Sequence, residues 1–303
     1  SLNEYGIKDI KTKKMKEFDS EERFYRYLGL DWMPPELRED RGEVEAARNH
    51  RLPNLVEIQD IKGDLQIHSD YPIEPSHDLG QNSMEEILAK AKELNYQYVA
   101  FTEHNPSVSM HTKNQIINIM KRRKAMIEQI RESTKSVRIL NLLEIDILAS
   151  GKLSLPDEAF EFIDAALVSI HSSFNQNKID MTKRVLNGLS HSKAKIFAHP
   201  TGRLINQREG INLDFNQIFS FCAKHNKALE INSYPNRLDL PDNLVKEALG
   251  FGIKFTLGTD SHEIKGMDLM PYGVAVARRG WLEADDIWNT KSYNEVLRWL
   301  KEK

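Results

Sequence analysis

The chain has 303 residues, 40% of them hydrophobic and 29% charged, with a formal net charge of -3. That make-up excludes fibrous and disordered classes, leaves room for one large α/β domain with a small extension, and does not mark a nucleic-acid binder by bulk charge. No apolar stretch approaches the roughly 18 to 20 residues that cross a bilayer, and no signal-peptide pattern opens the chain, so a soluble cytoplasmic protein without membrane partners is expected.

Residues 1–60 are polar and charged, and Pro34, Pro35 and Pro53 interrupt any helix, so this stretch is predicted to be an arm or linker. Lys8, Lys11, Lys13, Lys14 and Lys16 form a basic run there, which suits either phosphate contact or a plain solvated segment. The start at Ser1 without methionine points to a processed protein or a piece of a longer one. From residue 61 the pattern changes. Short apolar, β-branched runs at 64–67, 97–102, 138–143, 164–170, 194–198, 228–231 and 253–258 alternate with helix-length amphipathic stretches at 83–94, 113–132, 179–191, 214–226 and 241–250, and a last helix is expected at 292–301. This alternation predicts a distorted (β/α)7 barrel over 61–303 with a polar N-terminal arm, and suits a closed barrel better than an open doubly wound sheet. Cys222, the single cysteine, is expected to be a small core residue, in keeping with a reducing compartment.

The polar residues that terminate the apolar runs carry the chemistry. The first run leads into His68, the second into Glu103 and His104, the third into Glu144 and Asp146, and the fourth into His171. The fifth ends in His199 and the last in Asp260 and His262. Parallel barrel strands all deliver their ends to one rim, where barrel enzymes keep their active sites. Five of the ten histidines gather there with Glu144 and Asp260, a ligand set for Zn, Mn or Fe, and one with more ligands than a single catalytic zinc uses. Two or three divalent ions are therefore expected, and such ions polarise phosphoryl oxygens and activate water. His50, His111, His191 and His225 have no strand-end placement and are expected to be surface or helix residues.

Six stretches give the chain a family resemblance. They are Gly63-Asp64-Leu65-Gln66-Ile67-His68-Ser69, Phe101-Thr102-Glu103-His104, Leu143-Glu144-Ile145-Asp146-Ile147, Val168-Ser169-Ile170-His171-Ser172, Ala198-His199-Pro200-Thr201-Gly202-Arg203-Leu204 and Gly258-Thr259-Asp260-Ser261-His262. Together they resemble the polymerase and histidinol phosphatase (PHP) domain, in the version found at the C-terminus of bacterial family X DNA polymerases. Ser1-Leu2-Asn3-Glu4-Tyr5-Gly6 and the stretch from Pro34 to Glu43 resemble the end of that polymerase's thumb and the linker after it.

The resemblance implies a seven-stranded barrel with a three-metal centre that acts as a 3′ to 5′ exonuclease, with repair phosphodiesterase activities in related members. Carried over by position, His68, His104, Glu144, His171, His199, Asp260 and His262 would be metal ligands, with Glu144 bridging two ions. His68, Glu144, His199 and Asp260 would carry catalysis. The acidic position after the first motif falls best on Asp78, with Asp70 or His77 as substitutes. Gln66 stands where the family has the first histidine of His-x-His, and it would be a weaker ligand for one ion. Glu103 replaces the usual aspartate and is expected to orient His104.

Substrate contacts are expected from Arg203 and Arg237 as forked phosphate donors, and from Tyr234 as a stacking platform. Lys183 and Arg184 read better as solvated helix charges than as contacts to a DNA backbone. The favoured function is hydrolysis of phosphodiesters at DNA 3′ ends, with a polymerase domain as a possible neighbour in a longer parent chain. The carboxylate triad of a polymerase palm is absent, so nucleotide addition is not expected. The competing readings are a small-molecule phosphomonoesterase of the histidinol-phosphatase type and a non-catalytic module attached to a polymerase.

Overall fold

The computed structural model describes residues 2–3 and 6–302. It divides into two compact units, residues 1–54 and 55–303.

In the first unit, three short antiparallel strands, β1 (Leu2–Asn3), β2 (Gly6–Lys8) and β3 (Met15–Lys16), form a small sheet in which Ile7 pairs with Lys16 and Lys8 with Met15. Asp9 closes the turn between β2 and β3 by accepting from Lys11 N and Thr12 N at 2.8 and 2.7 Å. Lys16 of the basic run lies over the Tyr27 ring, 3.8 Å from its centroid. Ser20 then caps α1 (Glu21–Tyr27), and α2 (Glu43–Arg48) follows. Arg38 grips Glu21 with a two-pronged ion pair at 3.0 and 2.7 Å. Where the sequence predicts an arm, the chain thus builds a unit with its own sheet and helices. Their apolar patterns are too short to show a period.

The second unit is the barrel. Its strands are β4 (Gly63–Ile67), β5 (Tyr98–Phe101), β6 (Arg138–Asp146), β7 (Ala165–Ser169), β8 (Ala194–Phe197), β9 (Ala228–Asn232) and β10 (Phe255–Gly258). They pair in parallel and in chain order, and an Ile67–Ser261 bridge brings the last strand back to the first. All seven predicted strands are present, each within two residues of the expected ends except at 143, where β6 runs on to Asp146. Residues 55–60 belong here too: Val56 N donates to Leu282 O at 3.0 Å, and Arg278 Nη1 returns a bond to Val56 O at 3.0 Å.

Helices α3 (Met84–Glu93), α4 (Lys113–Ser133), α5 (Lys178–Leu189), α6 (Phe215–Lys224), α7 (Asp242–Leu249), α8 (Met270–Arg279) and α9 (Tyr293–Lys301) complete the unit. α3 shows how the sequence makes them: Ser83 and Glu86 form a reciprocal capping box, and Met84, Ile87, Leu88 and Ala91 recur on one buried face. The sequence reading missed α8, because Pro271 and Gly273 near its start look like helix breakers. Proline is tolerated in a first turn. Gly273 serves close packing, since a Cβ there would sit 2.1 Å from Ser233 Oγ and 2.9 Å from Leu257 Cδ2.

Strand alternation sorts the core into two. Outward residues such as Val99, Phe101, Leu143, Ile145 and Phe197 pack against the helices. Inward residues, among them Tyr98, Ala100, Leu140, Leu142, Leu167 and Ile196, fill the barrel together with Val296, Trp299 and Leu300 of α9. Trp299 stacks on Trp288 with centroids 4.4 Å apart and donates its Nε1 to Asn226 O at 3.0 Å. Cys222 is buried as expected, and burial pushes its thiol up to about 12. Trp299→Ala should remove the plug at the foot of the barrel and lower stability by about 3 to 5 kcal/mol, read as a shift of the urea unfolding midpoint at unchanged slope.

Candidate metal centre

Inward positions at the other end of the same strands change from apolar to ligating. Leu140, Leu142 and Glu144 share one face of β6, and the same alternation takes β5 from Ala100 to His104 and β7 from Leu167 to His171. Glu144 is fully buried, and imidazoles surround both its oxygens. His199 Nε2 is 2.9 Å and His171 Nε2 3.3 Å from Oε1, while His68 Nε2 is 3.4 Å and His104 Nδ1 3.7 Å from Oε2. Asp260 Oδ1 lies 3.2 Å from His68 Nε2. The His68 ring stacks on His262 at 4.1 Å and on His104 at 4.7 Å. Burial pushes Glu144 up, but His104, His199 and His68 outweigh it and hold the carboxyl well below the usual range.

Among the described residues, four overlapping sets bring ligand atoms within 4.8 Å of one another: His68, His104 and His262; His104, Glu144 and His171; His68, Glu144 and Asp260; and His77, Asp146 and His171. The donors fit metal ions. Both ring nitrogens of His68, Nδ1 of His104 and of His199, and Nε2 of His262 are buried without a hydrogen-bond partner. An imidazole nitrogen held in that state is poised for a cation and costs stability without one. His262 also shows the usual support of a metal-ligating histidine, its Nδ1 bonding Asp260 O at 2.9 Å and leaving Nε2 free for the centre.

The structure brings His68, His104, Glu144, His171, His199, Asp260 and His262 together and redistributes several other residues. Of Asp70, His77 and Asp78, only His77 enters a set, with Nε2 at 3.1 Å from both oxygens of Asp146. Asp78, favoured by the sequence, is exposed and faces a neighbouring cleft. Asp146, which the sequence reading did not count as a ligand, also holds His171 Nδ1 at 2.7 Å; its signal was the two-residue spacing from Glu144 on one strand face. Gln66, expected as a weak ligand, donates its Nε2 to Glu144 Oε2 at 2.8 Å, and its Oε1 faces Asn232 Nδ2 at 3.4 Å. Gly258 makes room for this, since a Cβ there would lie 2.6 Å from Gln66 Cβ and 2.4 Å from Glu230 Oε1.

Glu103 does not orient His104. It sits on the outward face of its strand with Phe101, pairs with the buried Arg123 and accepts from Ser69 N and Oγ. Arg184 is neither solvated nor available to DNA: it is buried and donates to the carbonyls of Ile147, Leu148, Ser172 and Ser173, so it clamps two strand-end loops. Arg203 is likewise spent, with Nε on Arg237 O at 2.7 Å and Nη2 on Leu238 O at 2.5 Å, so it holds the 234–238 loop instead of presenting a fork to phosphate.

Arg237 does reach the rim, 3.5 Å from Asp260 Oδ2. With Tyr234, which is 43% exposed, it lines a cleft of about 680 Å³ that also takes in Asp260, His262, Gln81 and Lys265. The remaining histidines stay away from the centre: His50 pairs with Asp31, His111 with Glu74, and His191 and His225 lie against Phe160 and Phe221.

Comparison with known proteins shows the family. The PHP domain matches residues 64–234, and the DNA polymerase beta thumb matches residues 1–39. The chain belongs to the PHP domain family. It is 35% identical over 300 residues to the DNA polymerase/3′-5′ exonuclease PolX of Bacillus subtilis, across 99% of this chain and 51% of that protein. It is 22% identical over 194 residues to a "Probable phosphatase" of Caldicellulosiruptor saccharolyticus, across 60% of this chain and 74% of that one. The chain therefore spans about half the length of the Bacillus relative. As a PHP domain it is a metal-dependent phosphoesterase. Among the described residues no helix is long and apolar enough to cross a membrane.

His77→Ala should weaken the ion shared with Asp146 and His171 by at least about tenfold, measured by metal titration with elemental analysis, while Asp78→Ala leaves the metal content unchanged. Arg123→Met should strand the buried Glu103 carboxylate and destabilise the fold by about 3 to 5 kcal/mol in urea titration.

Proposed function

We propose that this chain hydrolyses phosphodiester bonds of DNA from an accessible 3′ end, and that it works beside a polymerase domain in a longer protein. The carrying observation is the shared use of Asp260, which belongs to one ligand set and at the same time lines the cleft that holds Tyr234 and Arg237. A base stacked on Tyr234 and a phosphate on the free guanidinium nitrogens of Arg237 would bring a nucleotide chain against the ligand sets. The matches to a polymerase thumb and to a polymerase/exonuclease support a polymer substrate over a compact one.

His68, His104, His262, Glu144, His171, Asp260, His77 and Asp146 would hold two or three divalent ions of the Zn, Mn or Fe type, with His199 against Glu144. When bound, such ions supply Lewis-acid polarisation of the phosphoryl oxygen and activation of water. The chain's own residues do the positioning. Glu144 stays ionised at the centre, Arg237 is fixed by Asp260, and Tyr234 N donates to Asn232 Oδ1 at 3.0 Å, which sets the stacking residue relative to the ligand shell.

A 5′-labelled duplex with a recessed 3′ end, incubated with the Mn²⁺-loaded protein, should shorten stepwise. EDTA should stop the reaction and added Mn²⁺ restore it. Glu144→Ala and His199→Ala should each abolish cleavage while leaving the circular dichroism spectrum intact. Loaded protein that leaves DNA untouched but turns over histidinol phosphate or p-nitrophenyl phosphate would favour the phosphomonoesterase reading instead.

A further inference from the structure

A second cavity, of about 570 Å³, lies outside the ligand sets, between one side of α4 and two loops, the β4–α3 loop that carries Glu74 and the β5–α4 loop that carries His111. Its size suits a small-molecule or nucleotide-sized ligand. Gln115, Asn118, Ile119 and Arg122 recur at the spacing of a single helix face, with Lys121 beside them. Ile119 is buried and makes an apolar floor, while Gln115, Asn118, Lys121 and Arg122 are exposed. Met110, 72% exposed, stands at the edge.

The charge of this groove is one-sided. Its only carboxylate, Glu74, is bound to His111 Nε2 at 2.7 Å, whereas Lys121 and Arg122 face the cavity without an acidic partner among its lining residues. The groove also adjoins the metal centre. Glu74 and His77 are three residues apart, so their Cα atoms can be separated by no more than about 11 Å. His77 touches Asp146, His171 and His104. Backbone bonds from Ser107 N to Glu74 O at 3.0 Å and from Ser76 N to Asn105 O at 2.9 Å tie this connecting segment to the loop after β5.

We infer that this groove is a second nucleic-acid subsite, in which Lys121 and Arg122 bind a backbone phosphate of single-stranded DNA beside the metal centre. The inference rests on the DNA reading above. The amides of Gln115 and Asn118 offer hydrogen bonds to a base edge, and Met110 an apolar surface for a base. Because the contact is to phosphate, it adds affinity without sequence preference and is sensitive to salt. The subsite would act on polymers only, since a small phosphodiester held at the metals does not reach it.

The test uses the whole chain with Lys121→Glu/Arg122→Glu, and as a charge-matched control Lys92→Glu/Lys135→Glu, two exposed lysines away from the groove. Binding of a fluorescent oligothymidine is read by anisotropy in EDTA, and hydrolysis of the same oligonucleotide and of bis(p-nitrophenyl) phosphate is read with Mn²⁺. The groove variant should bind oligothymidine at least about tenfold more weakly than the control, with a shallower salt dependence, and should raise KM for DNA at unchanged kcat. Turnover of bis(p-nitrophenyl) phosphate should stay at the wild-type level. Equal affinity and equal KM for DNA in the two variants would overturn the subsite while leaving the exonuclease reading standing. Tight oligothymidine binding that the groove variant loses, in a protein that never cuts DNA, would uphold the subsite and overturn the exonuclease reading. A wild-type chain that neither binds nor cuts the oligonucleotide would overturn both.

Discussion

An ionised carboxylate inside a barrel is among the least favourable groups a fold can enclose, and Glu144 is fully buried at the inward face of β6. What keeps it ionised is a ring of imidazoles from four other strand ends, His68, His104, His171 and His199, together with the Gln66 amide. Each comes from a different part of the chain, so no local element could assemble the ring. The parallel, sequential strand order is what delivers them to one point. A barrel with Glu144 and without its partners would hold an uncompensated charge, a loss of several kcal/mol against a net folding free energy of roughly 5 to 15 kcal/mol. The buried carboxylate therefore depends on the ring as a whole rather than on any one imidazole.

The acids around Glu144 divide by environment. Burial pushes Glu144 and Asp260 up, but His104, His199 and His68 outweigh it at Glu144, and His68 with Arg237 outweighs it at Asp260, so both are held low. Asp64, Glu230 and Asp239 go the other way, raised chiefly by burial, Asp64 to about 7. These three have a different task, which is to accept from the backbone of the neighbouring loop. Asp64 takes Thr259 N, Glu230 takes His199 N, and Asp239 takes Thr201 N and Gly202 N. Each of these carboxyls anchors a strand-end loop through backbone N–H bonds and belongs to none of the ligand sets. Arg184 and Arg203 hold strand-end loops through their carbonyls, and Arg123 holds the Phe101 carbonyl beside its pair with Glu103.

Legibility in the sequence follows from periodicity. Strand positions and strand-end ligands could be read because apolar runs of four to seven residues mostly led into His, Glu or Asp, and because all parallel strands point one way. Period two also carried information that went unused. Asp146 shares a face with Glu144, and Glu103 shares the outward face of Phe101, which sends it to Arg123 on α4 instead of to His104. His77 lies on an irregular loop where no period applies, so only the folded chain chooses it over Asp70 and Asp78. Arg184 and Arg203 show a different limit. A cation's partner is fixed by tertiary structure, and a guanidinium with five donors satisfies loop carbonyls as readily as phosphate oxygens.

The remaining feature of the rim is strain. His199 and Asp260 both have positive φ, 30° and 55°, a backbone region that ordinary side chains avoid. Each lies two residues beyond the end of its strand, His199 after β8 and Asp260 after β10. Each position is held by its neighbours: His199 N donates to Glu230 Oε2 at 2.7 Å and Asp260 N to Gln66 O at 3.0 Å. The buried glutamate of β9 and the closing strand contact between β10 and β4 thus hold conformations that the local chain would not choose. The strain falls on two residues that meet the ligand cluster, whereas the strands beneath them are regular. A rim held in this way keeps its ligands in position before any ion arrives, which lets divalent cations bind without first ordering the loops that receive them.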